Sequence, residues 1–116
     1  MMDINDQIIT MLFPGFIRKI QEDYDKLKIT IDPDSFNFYK DPHVLKMGRI
    51  GVYGWCKLNN GKSYKVASSV DFKYELPYNE LYVLHQSIDE KRITEEIKEK
   101  CLFYYNQLVD YSVEIV

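Results

Sequence analysis

Two alternating segments meet at Asn59-Asn60-Gly61, and this junction constrains the fold more than any other stretch of the chain. Tyr64, Val66, Ser68, Val70, Phe72 and Tyr74 fall on one side, and Lys65, Ala67, Ser69, Asp71 and Lys73 on the other. A period of two with one apolar side is the pattern of a half-buried strand. Upstream, Ile50, Val52, Gly54, Cys56 and Leu58 alternate with Arg49, Gly51, Tyr53, Trp55 and Lys57. A two-residue Asn60-Gly61 turn would set Trp55 opposite Val66 and Ile50 opposite Asp71, mixing the two faces. A three-residue loop with Gly61 left-handed sets Cys56 opposite Tyr64, Gly54 opposite Val66 and Ile50 opposite Val70. It also sets Trp55 opposite Lys65 and Arg49 opposite Asp71. The three-residue loop is expected, because a slip of one residue would turn the buried set to solvent.

The hairpin, spanning residues 48–75, sits between two helical segments. Asp3 or Asn5 can cap the first, whose apolar stripe is Phe13, Phe16, Ile17, Ile20, Tyr24 and Leu27. Pro14-Gly15 predicts a kink or a split in that helix. Leu27, Ile29 and Ile31 then alternate as a strand. Asp32-Pro33-Asp34-Ser35 reads as a turn, Phe36 to Tyr39 as a short strand, and Lys40-Asp41-Pro42 as a second turn. After the break at residues 76–79, Glu80 to Gln86 suggest another strand. Ser87 with Glu90 fits a capping box opening a long second helix, with Ile93, Ile97, Cys101, Tyr104, Tyr105 and Leu108 as its buried stripe. Tyr111, Val113 and Ile115 alternate as a last strand. Gly48 and Gly54 fall on the inward strand face, where they admit a closely packed helix or mark bulges.

These elements predict one α+β domain over residues 1–116. It is expected to be two-layered, with a mostly antiparallel sheet of four to six strands. A kinked N-terminal helix and a long C-terminal helix, followed by the last strand, complete it. At 116 residues a core forms without disulfide staples. Cys56 and Cys101 share no short motif and read as buried free thiols, which fits a reducing cytoplasm. Met1-Met2-Asp3 lacks the basic start of a secretory signal, and the apolar run Ile8 to Ile17 is too short to span a bilayer. A cytoplasmic location in a bacterial host cell, without membrane contact, is therefore expected.

Candidate chemistry is sparse. His43 and His85 are the two histidines, and neither has a second ligand at the spacing of zinc motifs. No Gly-x-Ser-x-Gly elbow occurs, and neither Cys has a neighbouring base. Gly48, Gly51 and Gly54 recur every third residue but inside a strand, away from the strand–helix junction a phosphate loop needs. No catalytic residue, metal or cofactor is therefore expected. Pro33-Asp34 and Asp71-Phe72-Lys73 resemble the motif of the PD-(D/E)xK nucleases. That resemblance implies Asp34 and Asp71 as metal carboxylates and Lys73 as the residue orienting a water. An additional strand between the two halves departs from the family pattern, and Arg49 offers Asp71 a simpler partner.

Lys40, Lys46, Arg49, Lys57, Lys62 and Lys65 interleave with Tyr39, Tyr53, Trp55 and Tyr64, a mixture that can stack on single-stranded nucleic acid. Asp41, Asp71 and Glu75 dilute it, and the net charge of -3 has the wrong sign for a general nucleic-acid binder. Ten tyrosines and an outward Trp point instead to protein contact. The expected function is a small non-catalytic protein-binding module, with Arg49, Tyr53, Trp55 and Lys65 meeting a partner or a second copy. The covering of Trp55 by the N-terminal helix is the competing arrangement. The Lys-, Ile-, Asn- and Tyr-rich composition fits an AT-rich genome. In style the chain is similar to accessory proteins of phages and mobile elements that inhibit host nucleic-acid enzymes, defence nucleases among them. A head–tail ring component of a virion is the second reading, and a metal-dependent nuclease the third.

Overall fold

The computed structural model describes the backbone of residues 3–27 and 30–115, and the side chains of residues 3–22 and 30–109. Helix α1 spans Ile4–Leu27. A single 3-10 turn at Pro33–Ser35 leads into strand β1, Asn37–Lys40, and a one-turn helix α2, Pro42–Leu45. Strands β2, Arg49–Lys57, and β3, Ser63–Asp71, form the hairpin. Helices α3, Tyr78–Gln86, and α4, Glu90–Ile115, close the chain. The described residues hold one antiparallel sheet, ordered β1-β2-β3, so the α+β class stands with three strands in place of four to six.

The hairpin has the expected register throughout, from Arg49 opposite Asp71 to Cys56 opposite Tyr64. Gly61 has φ +85°, and its N–H donates to Leu58 O while Leu58 N–H donates to Lys62 O. A side chain at Gly61 would force a non-glycine residue into the left-handed region. Ile50, Val52, Cys56 and Tyr64 are consequently buried, and Tyr64 OH donates to Lys19 O.

The inner sheet face carries α1 and α4, with α1 against β3 and α4 against β1. The core gathers Ile8, Leu12, Phe16 and Ile20 of α1, Ile93, Ile97 and Cys101 of α4, and the inward strand residues. Phe16 is fully buried, with its ring centroid 5.9 Å from Phe38 and 6.2 Å from Phe36. Truncating such a side chain typically costs about 3–5 kcal/mol. Both thiols are free and buried, and desolvation pushes Cys56 up to about 12 and raises Cys101 as well.

Gly54 resolves its two readings in a third way. A Cβ there would lie 2.2 Å from Asn37 O and 2.3 Å from the Phe38 ring, so the glycine admits its cross-strand neighbour on β1. Gly48 lies in the turn before β2, with φ +76°.

Several elements differ from the sequence expectation. Pro14 lies inside one continuous helical segment, so α1 is not split. Leu27 ends that helix, Ile29 lies outside the described residues, and Ile31 makes a lone bridge to Leu58. Residues 80–86 belong to α3, because Leu81, Leu84 and His85 bury at helical spacing. Ser87 ends α3, with its hydroxyl on Leu84 O, and Asp89 caps α4 by accepting from Arg92 N–H at 3.0 Å. Residues 111–115 continue α4, so the segment expected as a last strand is helical.

Polar side chains join the helix starts. Asn5 is buried, accepts from Asp89 N–H at 2.8 Å, and donates to Ser87 O at 3.3 Å. Arg92 lies among Asp3, Asp6 and Glu96, bonded to all three. Hydrogen bonds from Asn5 N–H and from the guanidinium hold Asp3 below the usual carboxylate range.

Candidate protein-docking face

The outer sheet face follows from the alternation that builds the core. Every β2 residue flanking an inward one points outward, which brings out Arg49, Gly51, Tyr53, Trp55 and Lys57. Strand β1 adds Asn37 opposite Trp55 and Tyr39 opposite Tyr53. Three rings then meet. Tyr39 lies 5.8 Å from Tyr53 and 5.6 Å from Trp55, at interplanar angles of 38° and 42°. Tyr39 and Tyr53 are 40% and 41% exposed, and Trp55 is half-buried against its neighbours. Both long helices pack on the opposite face, and among the described residues no side chain of α1 covers Trp55.

Of the expected partner-binding residues, the fold gathers Tyr53, Trp55 and Lys65. Lys65 is exposed directly across from Trp55, and a shallow depression runs between Tyr53, Trp55 and Lys65. Lys57 is exposed on the other side of Trp55. Arg49 lies elsewhere. It lies six residue steps from Trp55 along β2, about 20 Å at strand rise. Between them α2 approaches, and a Cβ on Gly51 would lie 3.1 Å from Val44 Cγ2. Arg49 is held locally, with Nε donating to Ser69 Oγ at 2.8 Å and Nη1 3.3 Å from Asp71.

Tyr39 completes the cluster and was missed as a site residue. The sequence does carry its signal, because Phe38 must point inward and Tyr39 therefore outward. What the sequence lacks is the pairing of β1 with β2. Tyr64 leaves the cluster because it belongs to the core.

The nuclease resemblance loses its geometry. Asp34 lies in the turn whose neighbour Ser35 bonds Lys57, whereas Asp71 pairs with Arg49. Those two positions are the opposite ends of β2, about 26 Å apart at strand rise. Among the described residues no group of three His, Cys, Asp or Glu side chains could hold a metal ion. His43 is exposed, and His85 is buried on α3 instead of lying near a strand end. Burial, and then nearby Lys40, lower the His85 pKa. Among the described residues no helix is long and apolar enough to cross a membrane.

Comparison with protein-family models, curated proteins and solved structures finds no match to this chain.

Proposed function

We propose that this chain is a non-catalytic protein-binding module whose docking surface is the outer face of the sheet. Tyr53 and Trp55 are its anchors, Tyr39 supports them, and Lys57 and Lys65 form its basic rim. The observation that carries the reading is the contact of three partly exposed rings on a face free of the long helices. Tyr and Trp concentrate binding energy when a partner excludes water around them, and flanking cations favour a partner with carboxylates at its rim. The rings also contact one another, which restricts their rotamers and reduces the entropy lost on docking.

The finer reading is an accessory protein of a phage or mobile element, acting in the bacterial cytoplasm by occupying a host nucleic-acid enzyme. It rests on the AT-rich composition and the Tyr excess. A single-stranded nucleic acid is the contrasting ligand, since exposed rings and lysines also suit base stacking. Trp55 is the single Trp, so its fluorescence reports this face directly. Titration with oligothymidylate should leave emission unchanged, and titration with a captured partner protein should shift it. Saturable quenching by the oligonucleotide would transfer the site to nucleic acid.

A further inference from the structure

The two edges of the sheet are finished differently. On β1 the N–H groups facing away from β2 are capped by α4. Phe38 N–H donates to Thr94 Oγ1 at 3.2 Å, and Lys40 N–H donates to Glu90 Oε2 at 3.1 Å. On β3 the free edge can be read from the ladder. Phe72 N–H donates to Gly48 O and Leu58 N–H to Lys62 O, so the even-numbered residues of β3 exchange bonds with β2. The N–H and C=O groups of Lys65, Ala67, Ser69 and Asp71 face outward. Among the described residues, Lys19 Nζ donates to Lys65 O and Arg49 Nη2 lies 3.5 Å from Ser69 O, while the four N–H groups have no acceptor. A nine-residue edge strand left open in this way is a template for another strand.

We propose that β3 pairs antiparallel with β3 of a second copy, about a two-fold axis at Ser68, giving one continuous six-stranded sheet. The charge pattern selects this occupant and this register. With the axis at Ser68, Lys65 meets Asp71 of the second copy and Ala67 meets Ser69, and symmetry repeats both pairs. Each of these residues directs its N–H and C=O at the edge, and the carbonyls of Lys65 and Ser69, already bonded to side chains, keep a second lone pair for the partner strand, so the ladder closes without a bulge. Moving the axis to Ala67 sets Lys65 opposite Ser69 and loses the charge pair. Moving it to Ser69 sets Lys65 opposite Lys73. Opposite charges across a strand pair stabilise and like charges oppose it, so the Ser68 axis is favoured over its neighbours. On the inner face Val66 meets Val70 of the second copy, and both are half-buried in the single chain. Such a contact is isologous and closes as a dimer. It leaves Tyr39, Tyr53 and Trp55 uncovered and shares only Lys65 with the partner-docking reading, so Ala67→Pro is the variant that separates the two.

Sedimentation and light scattering over rising concentration test the pairing. A mass approaching twice the 13.9 kDa of the chain is expected. Hydrogen exchange at the amides of Lys65, Ala67, Ser69 and Asp71 should slow as the dimer forms. Ala67→Pro removes a donor at the shared edge without removing a bond inside the chain, and should give a monomer with unchanged helix content. Lys65→Glu, at an exposed position, sets like charges together twice and should raise the dissociation constant at least roughly tenfold; it serves if the proline variant fails to fold. A monomer at every concentration, a ring-sized mass, or a dimer unchanged in the folded variants would overturn the proposal.

Discussion

At the scale of single residues, Asp89 and Asn5 show how little of a cap can be read from spacing alone. Ser87 and Glu90 satisfy the capping-box pattern, yet the helix starts two residues later because Asn5, far away in sequence, accepts from Asp89 N–H. Asp89 is as good a cap as Ser by residue type, so the sequence offers two starts and a tertiary contact selects one. Asp89→Ala should cost about 1 kcal/mol in chemical denaturation. Ser87→Ala should move the midpoint far less. Equal losses would return the cap to Ser87. His85 supplies a pH test. Its folded-state pKa lies below the unfolded value of 6.5, because burial disfavours the cation. The unfolded chain therefore binds the proton more readily. The contribution of His85 to stability is complete above pH 6.5 and is lost as pH falls from there through the folded pKa. Denaturation midpoints across that window should fall with pH in the wild type and flatten in His85→Gln. Parallel profiles for the two proteins would remove His85 as the cause.

At the scale of elements, the hairpin was legible and the segments around it were not. A period of two with one apolar face admits one register, and the faces punish a slip at every position. Residues 81–84, by contrast, form a short apolar run that suits either a buried strand or a helix, and packing against the sheet decides for the helix. Tyr111, Val113 and Ile115 alternate over too few residues to override continuation of a helix already more than five turns long. Pro14 was expected to interrupt α1, but Ile8, Leu12, Phe16 and Ile20 form a buried line that spans it, and their packing offsets the missing backbone donor. Gly54 is the point at which β1 and β2 depend on each other most. Gly54→Ala would place a methyl group in the space now filled by Asn37 O and the Phe38 ring. It should destabilise the fold by about 3 kcal/mol, with amides of β1 losing exchange protection first. A midpoint within 0.5 kcal/mol of wild type, to order of magnitude the effect of a neutral surface change, would show that β1 shifts freely.

At the scale of the whole molecule, the long helices and the aromatic cluster occupy opposite faces of one three-stranded sheet. The outward placement of Tyr53 and Trp55 was legible because it is the complement of the buried set. The separation of Arg49 from them was not, since it depends on α2 reaching over Gly51, a contact with no local signature. The proposed docking surface therefore lies at one end of the outer face, while Arg49 holds Asp71 at the other. Trp55→Ala should cost about 1–2 kcal/mol of stability, because Trp55 is half-buried against Tyr39 and not in the main core. The most direct test joins function to that stability. Wild type and Trp55→Ala are used in parallel as bait in bacterial lysate, with quantitative identification of the retained proteins and a denaturation curve for each bait. A docking role for Trp55 requires a specific protein retained by the wild type and lost by a variant that remains folded. A folded variant that retains the same proteins as the wild type, or a variant that unfolds as a core truncation does, would contradict it.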